Sequence, residues 1–127
     1  MRGKVIAVLG LTFKPDTDDM RDSPSVPIVA RLVEDGARVR VYDPQGMELA
    51  RPMLPDGVTY CESAEDALEA ADALVLVTEW EAFRALTPAV IRARMAGDVV
   101  IDLRNVFEPR PMVAAGLRYH GIGTTPR

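Results

Sequence analysis

Short stretches carrying Val, Ile, Leu or aromatic residues, strongest at 4–9, 73–78 and 98–102 and mixed with polar residues at 38–42, 58–61 and 117–121, recur along the chain, separated by segments whose apolar positions recur at helical spacing. The strongest, short and mostly apolar, suit strands buried on both faces, and alternation with helices suits a parallel sheet covered on two sides. The pattern predicts six strands at those positions and helices at 24–35, 46–53, 63–70, 87–95 and 109–115, with a shorter helical turn at 80–85. The last strand is the least marked, because "RYHGI" is short and mixed. The fold class this implies is Rossmann-like α/β: three layers, α/β/α, around an open, mainly parallel sheet of five to six strands.

Several element ends carry their own chemistry. Ser23 before Pro24 reads as an N-cap followed by proline at the first helical position, and Gly36 stands where a helix wants a left-handed residue after its last turn. Pro27 is tolerable only inside the first turn, which moves the effective helix start toward Ser25. Ser63 with Asp66 three residues on resembles a capping box, and Thr87 before Pro88 repeats the cap-then-proline arrangement. A right-handed β-α-β unit at the start places the first strand in mid-sheet, so ligands are expected beyond the carboxyl ends of the strands, at 10–23, 43–46, 78–81 and 102–108.

Composition narrows the function more than the fold. At 127 residues and 48% apolar the chain makes one domain with a real core, and neither a repeat nor an interdomain linker is visible. A formal charge of -4 and a pI near 5.0, with Lys and Arg dispersed, offer no field for nucleic acid or an anionic membrane, so any anion has to be held locally. No apolar stretch approaches a membrane span and the start is too strand-like for a signal peptide, which makes a cytoplasmic protein the expectation. One cysteine, Cys61, allows no internal disulfide, and one histidine, His120, has no partner for a triad; both read as structural, and no metal site is expected.

Candidate chemistry begins with "GLTFKPDTDDMRDSPS" at 10–25, which follows the first strand where a dinucleotide-binding fold has its glycine-rich loop. Leu11, Thr12 and Phe13 follow Gly10, too bulky for backbone approach to a pyrophosphate, so the G-x-G-x-x-G fingerprint is absent. Asp43 ends the second strand where a ribose-binding acid would sit; in "YDPQG" it reads instead as a turn residue. The acids do not make an EF-hand, because Arg21 takes the glycine place and Pro27 the glutamate place. A better physical role for Asp16, Asp18 and Asp19 is to neutralise and orient Lys14 and Arg21, leaving the cations as working groups; the alternative is a solvated charged loop. Arg104, just past the fifth strand, suits bidentate phosphate contacts, or else a salt bridge to Asp102 or the loop acids. In "VTEWEAF" Thr78 and Glu79 stand at a strand end, and Trp80 either stacks on a base or packs its helix onto the sheet.

Taken together, these segments are colinear with those of one family. "GLTFKPDTDDMRDSPS", "GARVRVYDP", "VTEWEAFR", "VVIDLRNVF" and "GLRYHGIG" match its G-x-x-FK-x-x-TDD-x-R-x-SP segment, the strand that follows, and its T-E-W, D-x-RN and Y-x-GIG segments. The chain resembles the C-terminal domain of the UDP-glucose/GDP-mannose dehydrogenase family over essentially its whole length. That resemblance implies enzymes that oxidise the C6 hydroxyl of a nucleotide sugar to a carboxylate in two NAD-dependent steps, through a thiohemiacetal and a thioester on a cysteine. It implies that Lys14 and Arg104 contact the UDP-sugar and that Arg21 reaches NAD on another domain; Phe13, Asp16, Thr17, Asp19, Glu79 and Trp80 are expected, from the reading of the residues, as their supports. It further implies a homo-oligomeric parent enzyme acting on UDP-glucose or a related nucleotide sugar, with residues 1–127 as its C-terminal nucleotide-sugar domain. The NAD fingerprint, the G-G-S-C-F segment and the catalytic lysine and asparagine of the central portion do not occur here, so catalytic residues are expected to be none and the isolated chain inactive. GDP-mannose and UDP-N-acetylmannosamine dehydrogenases share the loop, and a stand-alone nucleotide-sugar-binding module is a further alternative. A receiver-like domain fits poorly, since the third strand ends in Cys61 and the fifth leads to Arg104.

Overall fold

The computed structural model describes residues 3–12, 23–78, 83, 85–104 and 106–121. They form β1 (Val5–Leu9), α1 (Ser25–Glu34), β2 (Arg38–Tyr42), α2 (Met47–Ala50) with a 3-10 turn at Arg51–Met53, and β3 (Thr59–Tyr60). Next come α3 (Ala64–Leu68), β4 (Ala73–Leu76), α4 (Pro88–Arg94), β5 (Val99–Asp102), α5 (Pro109–Ala114) and β6 (Arg118–Gly121). The six strands make one sheet in the order β3-β2-β1-β4-β5-β6, each neighbouring pair parallel. The expected class is therefore met, at the upper end of its strand count.

Alternation along the strands divides the core in two. Ala7, Leu9, Leu74, Leu76, Val100 and Tyr119 face α3, α4 and α5, where Leu68, Ile91 and Met112 are buried against them. Ile6, Val8, Val39, Val41 and Val75 face the other way, toward Val29 of α1 and Ala50 of α2. Truncating a fully buried Leu74 or Ile91 to alanine would cost about 2–5 kcal/mol, so these two layers carry most of the stability. On the α1 side the helical cover stops short of β5, leaving Ile101 37% exposed beside Ile28 and Leu32 of α1.

Helix ends follow the residue chemistry with one correction. Gly36, at φ +89°, closes α1 in a Schellman arrangement: its N–H donates to the Val33 carbonyl and that of Ala37 to the Leu32 carbonyl, each at 3.0 Å. Ser63 Oγ accepts from Asp66 N–H at 3.0 Å and Thr87 Oγ1 from Val90 N–H at 3.2 Å, as the sequence predicts. Ser23 is not the cap residue of α1; Pro24, already in helical conformation, holds that place, and the Ser23 hydroxyl one residue earlier accepts the Ser25 N–H at 3.3 Å while donating to the Leu11 carbonyl. The helix predicted over 46–53 breaks after Ala50, where Pro52 supplies no N–H and the chain tightens into the 3-10 turn. The turn predicted at 80–85 falls mostly outside the described residues; Phe83, which is described, is fully buried and meets Tyr42 edge-on with ring centroids 6.3 Å apart.

Because β1 leads to β2 on one side while β3 crosses back to β4 on the other, the chain leaves the carboxyl ends of β1 and β4 in opposite directions. Sheets of this kind bind ligands outside that divergence.

Candidate functional site

At the divergence the sheet edge is built from the two loops that leave it. Gly10 has φ +95°, and a Cβ added there would stand 2.5 Å from Thr78 N and 2.6 Å from Thr78 Cβ, so only glycine lets the two strand ends meet. Thr78 then donates its hydroxyl to the Thr12 carbonyl at 2.6 Å, stitching the loops together. Asp43, fully buried at the end of β2, accepts Leu11 N–H (2.7 Å) and Thr12 N–H (3.1 Å) on Oδ2, with the Thr12 hydroxyl at 3.3 Å. Its Oδ1 accepts Gln45 N–H (2.9 Å) and Gly46 N–H (2.7 Å). A carboxylate is the one side chain that takes so many donors at once, which is why an acid ends this strand. The turn reading of Asp43 holds, and the same oxygens also anchor the loop after β1.

The acidic loop is gripped at its exit as well. Ser23 and Ser25, both buried, donate to the Leu11 carbonyl at 2.5 and 2.6 Å and lie 2.9 Å apart, so the chain returns at residue 23 to the place it left at residue 11. Lys14, Arg21, Phe13, Asp16, Thr17, Asp19, Glu79 and Trp80, predicted from the sequence as site or supporting residues, lie outside the described residues. What the structure brings together among the described residues is Gly10–Thr12, Ser23, Asp43, Thr78 and Arg104.

Arg104 is held from two directions. Asp102, fully buried, accepts Arg104 N–H on Oδ1 at 3.1 Å, and on Oδ2 it accepts Phe107 N–H at 2.9 Å and the Tyr119 hydroxyl at 2.7 Å. Both oxygens serve the turn after β5, so the salt bridge from Asp102 to the guanidinium is not what forms. The guanidinium leans instead across β4, where Nε donates to the Val77 carbonyl at 2.9 Å. Anchoring through Nε fixes the guanidinium plane, and the terminal amino groups carry the fork geometry that matches a phosphate. Arg104 thus reaches back from β5 toward the β1/β4 divergence.

Tyr119 was not legible as a site residue. Its sequence signal was its place as the tyrosine of the Y-x-GIG segment; in the structure it is 2% exposed while Arg118 and His120 on either side are exposed. Burial pushes its phenol well above the ordinary range, and the hydrogen bond to Asp102 and that carboxylate's charge add to the shift. Cys61 is buried, which raises its thiol against the pull of Arg40, and His120 is exposed on β6. Among the described residues no group of three or more His, Cys, Asp or Glu is arranged to hold a metal, and no helix is long and apolar enough to cross a membrane.

A parallel sheet in this order, with polar residues gathered at the β1/β4 edge, defines a Rossmann-like α/β domain. It is a variant in which protein fills the places a dinucleotide would use: Thr78 packs on Gly10, and Asp43 turns inward to Leu11 and Thr12 instead of outward to a ribose. Comparison with known proteins places it further. The UDP-binding-domain model of the UDP-glucose/GDP-mannose dehydrogenase family matches residues 7–109, and the chain belongs to that family. It is 47% identical over 123 residues to a UDP-glucose 6-dehydrogenase of Rhizobium meliloti, a match covering 97% of this chain and 28% of that protein. Among solved structures, a UDP-glucose dehydrogenase from the archaeon Pyrobaculum islandicum superposes with TM-score 0.81 at 38% identity, over 98% of this chain and 26% of that one. A UDP-D-ManNAc dehydrogenase from Pyrococcus horikoshii gives TM-score 0.75 at 32% identity, over 95% and 26%. The chain therefore spans little more than a quarter of the length of these relatives.

Proposed function

We propose that this chain is the UDP-sugar-binding domain of an NAD-dependent UDP-glucose 6-dehydrogenase. The full-length enzyme would convert UDP-glucose, two NAD and water to UDP-glucuronate and two NADH. The observation that carries the reading is Arg104, held by Asp102 and Val77 at the sheet edge of a domain whose family is defined by UDP binding. In this role Arg104 and Lys14 grip the diphosphate and sugar, and Arg21 extends toward NAD across a domain cleft. Phe13, Asp16, Thr17, Asp19, Glu79 and Trp80 support them.

NAD does not fit the edge of this domain itself, because Thr78 and Asp43 take the approach a pyrophosphate and ribose would need. The cofactor is then held by another domain, and so is the catalytic cysteine, since Cys61 is buried and its thiol is raised rather than lowered. A homo-oligomer is proposed for the parent enzyme on the resemblance alone. The same domain in a UDP-N-acetylmannosamine dehydrogenase is the second reading, favoured by the likeness to the Pyrococcus horikoshii structure.

Titration of the isotopically labelled chain by NMR with UDP, UDP-glucose, UDP-N-acetylmannosamine, GDP-mannose and NAD tests the proposal. A half-site should bind UDP with a dissociation constant on the order of 1 mM, equivalent to about −4 kcal/mol. UDP and UDP-glucose are expected to shift the amides of Thr12, Thr78 and Arg104 while NAD leaves them in place. Arg104→Ala should weaken UDP about tenfold, the worth of a charge-assisted phosphate contact. An unmoved Arg104 amide at saturating UDP, or an unchanged affinity in Arg104→Ala, defeats the reading; preference for the N-acetylmannosamine nucleotide transfers it to the second.

A further inference from the structure

The group that aims Arg104 sits beneath it. The turn from Asp102 to Phe107 begins with a carboxylate that accepts Arg104 N–H (3.1 Å) and Phe107 N–H (2.9 Å), which ties the start of the turn to its end. Tyr119, reaching in from the neighbouring strand β6, closes the same turn from below. Its hydroxyl lies 2.7 Å from Asp102 Oδ2 and 2.8 Å from the Phe107 carbonyl, both acceptors, so one hydroxyl hydrogen is shared between the two ends of the turn.

Both residues are shielded from solvent, Asp102 at 0% and Tyr119 at 2% exposure, so neither can touch a ligand at the edge. What they control is the backbone from which Arg104 departs. The only freedom the Asp102 carboxylate has to rotate is opposed by the Tyr119 hydroxyl on one oxygen, while the other oxygen holds Arg104 N–H. With the backbone fixed there and Nε fixed on the Val77 carbonyl, the guanidinium is defined at both ends of its side chain.

We propose that Tyr119 is a positioning residue for nucleotide binding: acting through Asp102 and the 102–107 turn, it places the Arg104 guanidinium at the sheet edge and so sets the affinity for the diphosphate. This rests on the reading that Arg104 grips that diphosphate. Bidentate contacts are directional, and a displacement of about 1 Å forfeits much of their strength, so a buried hydroxyl beneath the turn can be felt by a ligand it never meets.

The test is a double-mutant cycle on UDP affinity with Tyr119→Phe and Arg104→Ala, measured on the full chain. Tyr119→Phe keeps the ring that packs in the core and removes only the hydroxyl. Alone it should raise the UDP dissociation constant roughly fivefold, the loss of one hydrogen bond's worth of order. In the Arg104→Ala background it should change nothing further. An equal effect in both backgrounds, or no effect in either, overturns the proposal. If instead Arg104→Ala itself leaves UDP binding untouched, the functional reading fails, a distinct result. Two further measurements separate positioning from general destabilisation. The Arg104 Nε–H signal of the ligand-free chain should lose its protection from exchange in Tyr119→Phe, and unchanged protection counts against the idea. Val39→Ala, at the far side of the sheet, should lower stability without moving UDP affinity; if it weakens UDP as much, Tyr119 acts only through the fold.

Discussion

Replacing Asp43 by asparagine removes one charge and no volume, yet it strikes the point where the loop after β1 and the turn after β2 are joined. The carboxylate accepts four backbone N–H groups, from Leu11 and Thr12 on one oxygen and from Gln45 and Gly46 on the other. An asparagine has one acceptor oxygen, so its NH2 must face one of these donor pairs. The less costly orientation turns the oxygen to Leu11 and Thr12 and the NH2 to Gln45 and Gly46, because the Gln45 contact is only partly buried and water can reach that donor. Gly46 N–H is then stranded in a buried position, a cost of about 1–3 kcal/mol, and the two retained bonds fall from charge-assisted to neutral strength at about 1 kcal/mol each. Easier burial of the neutral amide offsets part of this.

The net loss is about 3 kcal/mol. Against a total of about 6–19 kcal/mol for 127 residues, the variant should remain folded. In urea, with a slope of about 1.5–2 kcal/mol per M, the midpoint should fall by about 1.5–2 M at unchanged slope, and the melting temperature by about 12 °C. A loss below about 1 kcal/mol would refute the reasoning, since it would mean that the inward-facing carboxylate is not what holds the two loops.

Three other outcomes follow from the same edge. Gly10→Ala forces a Cβ to 2.5 Å from Thr78 N at φ +95°, and should cost about 3–5 kcal/mol from backbone strain and lost loop contact, read as a drop in urea midpoint. Ser23→Ala and Ser25→Ala should each cost about 0.5 kcal/mol, because the other hydroxyl still serves the Leu11 carbonyl; the double variant should cost clearly more than their sum, and simple additivity would show that the two do not share that acceptor. Stability should decline in alkali. Burial raises the Cys61 thiol above its ordinary 9.0 and the Tyr60 and Tyr119 phenols above 10.0, so the stability they contribute is intact below those values and lost as pH rises beyond them. Tyr119→Phe should flatten the part of that decline above pH 10, and a pH–stability curve identical to that of the unmodified chain would contradict the assignment.

The sequence alone carried the framework, because the forces that make it are local. Runs such as "VIAVL" and "ALVL" are apolar on both faces whatever surrounds them, Gly36 accepts a positive φ without a Cβ to object, and Ser63 and Thr87 find their N–H donors three residues away. Six parallel strands with helices on two sides follow from such signals, and the colinear motifs carried the family. Ser23 shows where local reasoning ends: its hydroxyl does accept the N–H of Ser25 at the helix start, but its proton goes to a carbonyl 12 residues earlier in the chain, brought within 2.5 Å.

The edge itself was decided by tertiary structure. Asp43 meets residues 31 and 32 positions away, Thr78 bonds one 66 away, Arg104 one 27 away and Tyr119 one 17 away. None of these spacings has a period that sequence reading can detect. They exist because the register of β1 with β2 and β4, and of β5 with β6, sets strand ends side by side. Buried polar groups then take whichever partners the sheet brings within reach, since leaving them unpaired costs more than any local preference. An acid at the end of β2 and an arginine past β5 were visible from the first; that the acid would face inward and the arginine would lean back across β4 required the sheet.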